Sequence, residues 1–239
     1  GFYAVVPFLA LFLRDDMLLS GGLIGLILGL RTFSQQGMFI LGGTLADRYG
    51  AKAIILAGCV VRVAGFLLLA CGASLWPIIL GACLTGVGGA LFSPSIEALL
   101  ARAGTHSQAN GKRSRAEWFA LFAVCGELGA VIGPVAGGVL SGIGFRHIAL
   151  AGAGIFLLAL AVLFFCLPAD GHTTTTRRRV PWWTPLRQPR FVAFILAYSS
   201  WLLSYNQLYL ALPVEIQRSG GREQDLAPLF MLASLLIIT

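Results

Sequence analysis

Three ionisable side chains stand where a chain this apolar can least tolerate them. Arg31 and Arg62 lie midway along two long hydrophobic runs, and Glu127 lies midway along a third. Insertion scales place an arginine at a membrane-helix centre at roughly +2.5 to +3.5 kcal/mol, so each such group needs water or a partner. Ser34 and Gln35 fall within about 60° of Arg31 on a helical wheel. Together they give that helix one polar face, suited to bordering a cavity. Arg62 has two readings: part of the same polar site, or a side chain that only caps carbonyls or pairs with a neighbouring helix. Glu127 is the only acidic side chain near the middle of a complete run. A carboxyl there suits reversible proton uptake; the alternative is a structural glutamate held in an ion pair. Farther on, Tyr198, Trp201, Tyr205, Asn206 and Tyr209 form an aromatic face with a few hydrogen-bonding groups. Such a lining would take amphipathic organic molecules, although packing between helices explains it too.

The elements that must position these groups are membrane helices. Charged residues make up 11% of the 239 residues, with mean hydropathy +0.84, against about 25% charged in soluble domains. The apolar runs approach the roughly 20 residues needed to cross a hydrocarbon core, and they are continuous rather than alternating, which excludes barrel strands. Complete spans are expected at about 20–42, 53–72, 76–101, 116–141, 146–168 and 190–215, with shorter runs at 1–13 and 227–239. Both short runs read as parts of helices, so the chain reads as a fragment. Residues 169–189, with a Thr run, three consecutive Arg and three Pro, read as a basic surface linker in which Trp182 and Trp183 suit headgroup level. The expected organisation is therefore 1–168, a linker at 169–189, and the start of a second helical unit at 190–239.

The net charge of +7 does not indicate nucleic acid, because the basic residues gather in alternate loops without interleaved stacking aromatics. Stretches 42–52, 101–115 and 169–190 hold eleven Arg and Lys, and the opposite loops hold only Arg14, Arg146, Arg218 and Arg222. The positive-inside rule then puts the first set in the cytoplasm, together with the N-terminus. The five cysteines lie inside apolar runs with no C-x-x-C and read as small buried hydrophobes, and the three histidines are scattered. No nucleophile–base set, phosphate loop or metal cluster is visible, so neither an enzyme nor a cofactor is expected.

Residues 42–52, GGTLADRYGAK, read as a tight charged turn between two spans. In it Gly43 and Gly50 allow close approach or positive φ, and Asp47, Arg48 and Lys52 supply the charge. This stretch resembles the G-x-L-A-D-R-x-G-R-K loop of the major facilitator superfamily, with Ala51 where the family usually has Arg. Gly129, Gly133, Pro134, Gly137 and Gly138 form G-x-x-x-G-P-x-x-G-G. A small-xxx-small ridge can be ordinary helix packing, but in this span it resembles the antiporter signature of the family's drug:proton exporters. LGLRTFSQQG (28–37) and VRVAGF (61–66) resemble a multidrug-exporter branch. One departure is Ala82, which stands where many exporters carry an intramembrane Arg before a stretch like TGVGGA (85–90). A weaker echo pairs GGTLADRYG (42–50) with GGVLSGIGF (137–145), as a 3+3 inverted repeat would.

The resemblance implies an all-α membrane protein with a major facilitator fold: the N-terminal six-helix half plus the start of the second. It implies proton-coupled export of small amphipathic compounds by alternating access, with small-molecule substrate, protons and the lipid bilayer as partners. It further implies a monomer in the bacterial inner membrane, Glu127 as the proton-coupling group and 42–52 as a gate. Uptake of a metabolite such as a sugar or organic acid remains an alternative, as does a non-transporting receptor or scaffold.

Overall fold

The computed structural model describes residues 2–72, 74–109, 113–167, 187–200, 203–204 and 219. The chain divides into two compact units, Gly1–His172 and Thr173–Ile237. The first contains α1 (Phe2–Asp15), α2 (Gly21–Gln36), α3 (Phe39–Tyr49), α4 (Ala51–Cys71), α5 (Leu75–Ala109), α6 (Arg115–Ser141) and α7 (Phe145–Cys166). In the second unit, residues 189–200 are helical, and Phe194 stacks on Tyr198 with ring centroids 6.1 Å apart. Most of the expected span at 190–215 lies outside the described residues, as do Tyr205, Asn206, Tyr209, the Trp pair and the triple-Arg run.

Among the described residues, five stretches are long and apolar enough to cross a membrane: Gly21–Tyr49, which joins α2 and α3, and then α4, α5, α6 and α7. The sequence predicts a span ending near residue 42 followed by a tight turn to 52. The helix instead runs on, and α3 carries Gly42 through Tyr49 as helical backbone. The turn itself is confined to Gly50, at φ 93°. Leu45, Ala46 and Arg48 are good helix formers, and only a residue without Cβ takes that φ without strain. Gly144, at φ 117°, makes the corresponding break between α6 and α7. The two echoing glycine-rich stretches thus both run into the positive-φ glycines of the described chain. A second irregularity, at Gly37–Met38, separates α2 from α3.

The core brings together α1, α2, α4, α5 and α7 through Val5, Leu9, Leu13, Ile27, Phe66, Ile78, Phe145, Ile148 and Phe156. Phe12 stacks on Phe145 at 4.5 Å and Phe66 on Phe156 at 5.6 Å. α5 is the central element, packed by α4, α2, α3 and α6, whereas α6 packs on α1, α5 and α7. Large apolar side chains such as Leu128, Ile132, Val139, Leu158 and Phe165 cover the outside, as expected where lipid rather than water is the solvent. The same reasoning corrects the expectation for cysteine. Cys59 is buried, but Cys71, Cys125 and Cys166 are exposed, because an apolar run in a bilayer does not imply burial inside protein.

Candidate functional site

Arg31 on α2 and Arg62 on α4 are only 5% and 7% exposed, and one segment of α5 holds both. A Cβ placed on Gly89 would lie 2.5 Å from Nη2 of Arg62 and 3.0 Å from Cδ of Gln35. On Gly88 it would lie 2.5 Å from Cγ of Arg62 and 2.8 Å from the Gly58 carbonyl. On Gly86 it would meet the α2 backbone, at the Arg31 carbonyl and at the Gln35 backbone nitrogen 3.2 Å away, with Ser34 Cβ at 3.0 Å. The TGVGGA stretch is therefore a socket: the volume its missing side chains leave is filled by an arginine from α4 and a glutamine from α2.

Within the socket, Arg31 Nη2 donates to Gln35 Oε1 at 3.2 Å. The Arg62 guanidinium lies 4.8 Å from the Phe156 ring centroid and 5.9 Å from that of Phe92. A guanidinium over aromatic faces is held by the ring quadrupoles, the more so away from water. Ser34 turns its hydroxyl to the Leu30 carbonyl at 2.8 Å, and Thr85 does the same to Ala82 at 2.7 Å. Those two hydroxyls complete their own helices. The expected polar face of α2 is thus used unevenly, with Gln35 reaching into the socket and Ser34 reaching back.

α4 and α5 run antiparallel here, in contact through glycines seven residues apart on each helix. A Cβ on Gly58 would lie 2.9 Å from the Gly88 carbonyl, and one on Gly81 would lie 2.9 Å from the Gly65 carbonyl. Residue spacing alone carries that signal, since Gly58/Gly65 and Gly81/Gly88 both repeat at seven and small residues let membrane helices approach. Sequence reading singled out Arg62 but not the socket that holds it.

In the 42–52 stretch, Asp47 Oδ1 accepts from Arg102 Nη2 at 3.2 Å, between half-exposed side chains. Lys52 Nζ donates to the Leu167 carbonyl and lies 5.7 Å from the Phe164 ring. Arg48 lies over Tyr49 at 5.2 Å. The charged end of α3 is thereby tied to α5, and the start of α4 to the end of α7. Gly43 meets nothing within 4 Å, and its neighbour Gly42 makes the close approach, against the Ala90 backbone and Pro94. The helical continuation rotates Gly42, not Gly43, toward α5.

The α6 ridge is divided. On Gly133 a Cβ would lie 2.7 Å from Tyr3 Cβ, and on Gly137 it would lie 2.8 Å from Phe8 Cδ2. Gly129 meets nothing within 4 Å, and Gly138 meets only Phe8 Cζ, at 3.9 Å. Pro134 is half-buried inside the helix. Glu127 is half-buried, one third of a turn or less from Gly133 and Gly137, at about 80–120°. α6 packs on α1, α5 and α7, and Glu127 is less buried than the two arginines of the socket.

Residues 1–239 match the sequence profile of the Major Facilitator Superfamily. The chain belongs to this superfamily. It is 37% identical over 243 residues to an uncharacterized MFS-type transporter of Mycobacterium tuberculosis, covering all of this chain and 56% of that protein. It is 33% identical over 222 residues to the multidrug resistance protein MdtH of Aeromonas hydrophila, covering 92% of this chain and 54% of the relative. With the MdtH of Escherichia coli it shares 32% over 240 residues, covering all of the chain and 58% of the relative. The chain thus spans a little over half the length of these curated relatives. Its all-α, multi-pass architecture is that of the N-terminal half of a major facilitator, and the relatives are named as an MFS-type transporter and as multidrug resistance proteins.

Proposed function

We propose that the full-length protein containing this superfamily segment is a secondary active transporter that exports small amphipathic compounds against inward proton flow. The observation that carries the reading is the Arg31–Gln35–Arg62 socket, two guanidiniums held among membrane-spanning helices at a cost that packing alone does not require. The names of the MdtH relatives support multidrug substrates. Alternating access would rock the two halves about a midplane site. Asp47, Arg48, Gly50 and Lys52 form the gate on the cytoplasmic face, where the ion pair to Arg102 favours one state over the other. Glu127 carries the proton, and its half-exposed place on α6 leaves it reachable from outside the helical core. The carrier works as a monomer in the bacterial inner membrane, with its basic loops in the cytoplasm.

Everted vesicles carrying the full-length protein provide the test. An imposed inward-acid gradient should drive accumulation of an uncharged amphipathic dye, and dissipating the gradient should release it. Gradient-independent dye levels, with proton-driven uptake of a sugar or organic acid into intact cells, would replace export by import.

A further inference from the structure

The Arg62 guanidinium reaches rings on two helices other than its own. It lies 4.8 Å from the Phe156 centroid and 5.9 Å from that of Phe92, and about 6 Å is the limit of a cation–π contact. Phe156 is thus the nearer face, and it comes from α7, whereas Arg62 belongs to α4 and Phe92 to α5. We infer that Phe156 is a positioning residue for transport, fixing the Arg62 guanidinium in the orientation the carrier uses. The inference deepens the proposed function and rests on its assignment of Arg62 to the substrate.

Phe156 is built to hold still. It is 9% exposed, and Phe66, 1% exposed, backs it with ring centroids 5.6 Å apart and planes 27° apart. Phe66 stands one turn after Arg62 on α4, so the helix that carries the guanidinium also carries the ring behind its partner. Gly152, one turn before Phe156, lets α7 seat on α1 and on Phe66. A Cβ there would lie 2.7 Å from Val5 Cγ2 and 3.6 Å from the Phe66 ring. The stem and one terminal nitrogen of Arg62 lie against Gly88 and Gly89 of α5, and Phe156 meets the guanidinium from α7.

The chemistry favours a ring in this role. A carboxylate would hold a guanidinium by cancelling its charge, whereas an aromatic face holds it and adds no counter-charge. The attraction also grows as water is withdrawn, and Arg62 is 7% exposed. A leucine at this position would fill much of the space and offer no such face.

Stepwise fluorination of the ring tests this, because it drains the quadrupole at nearly constant shape. The full-length carrier would receive mono-, di- or trifluorophenylalanine in place of Phe156. Transport of an uncharged amphipathic dye is then measured in proteoliposomes under a pH gradient, and melting is followed in detergent. Transport should fall with each fluorine, reaching a loss of roughly five- to thirtyfold with the trifluorinated ring. The melting temperature should fall by about 1–3 °C across the series. In the R62M background the melting series should be flat. Trifluorophenylalanine in place of Phe165, 82% exposed on the same helix, should leave transport unchanged. Undiminished transport through the whole series at Phe156 would overturn the positioning role and leave the proposed function standing. An equal melting slope in R62M would reduce Phe156 to packing and overturn the inference as well. Undiminished transport by R62M would instead remove the substrate role of Arg62, and this inference with it.

Discussion

α5 and α6 are both long, apolar helices with an internal proline and a run of glycines, and they use those glycines in opposite ways. α5 is surrounded: Gly81 and Gly88 lie against the α4 backbone, and Gly86 and Gly89 admit α2 and the Arg62 side chain. α6 is one-sided: Gly133 and Gly137 receive α1, while Gly126 and Gly129 meet nothing within 4 Å. The charges follow the same division. The arginines facing α5 are buried, and Glu127 on α6 is half-exposed. Glycine spacing shows that a helix can be approached closely, but not by what. In α5 a guanidinium occupies the space that a Cβ would fill.

The sharpest way to break the comparison is to add a side chain at equivalent-looking glycines. Gly88→Val in the full-length protein should abolish folded carrier in detergent, because its Cβ alone would overlap Arg62 and the Gly58 carbonyl and neither helix can yield cheaply. Size-exclusion profiles of a fluorescent fusion would show this as a lost monodisperse peak. Gly129→Val should leave the peak intact and move stability by less than about 0.5 kcal/mol. A well-folded Gly88→Val protein would remove the socket from the account.

A smaller effect on folding, with a large one on function, is expected at Arg62. Met fills similar space without charge, and replacing buried charges by apolar groups is often neutral or stabilising. Arg62→Met should keep its melting temperature within a few degrees and lose at least tenfold in dye export. Retained export would make Arg62 a packing element only. Smaller still is Asp47→Asn. Its ion pair to Arg102 joins side chains 62% and 55% exposed, and exposed pairs contribute about 0–1 kcal/mol. Melting should barely change, while transport falls for unrelated substrates alike and equilibrium binding persists. Loss of binding for a single substrate would contradict a gating role.

Much of this contrast is legible in the chain, and the illegible part has a physical cause. The helices follow from apolar runs of bilayer length, and the intramembrane charges stand out because so few charges surround them. The 42–52 stretch is recognisable, yet its conformation is not. Charge at a helix end looks like a loop in sequence, whereas helix propensity carries α3 on to Gly50. Gly42 and Gly43 cannot be told apart without the rotation of α3 against α5. The socket at Gly86–Gly89 depends on three helices meeting, which no local pattern encodes. Among the cysteines, apolar context could not separate Cys59 in the core from Cys71 on the surface.

The central claim is a division of labour, with the arginine socket serving the substrate and Glu127 serving the proton. Proteoliposomes containing full-length Glu127→Gln, assayed in two modes, test it most directly. The account predicts that pH-gradient-driven transport is lost while substrate binding and downhill exchange continue at close to the wild-type rate. Undiminished proton-driven transport by Glu127→Gln would contradict it and leave Glu127 a structural residue.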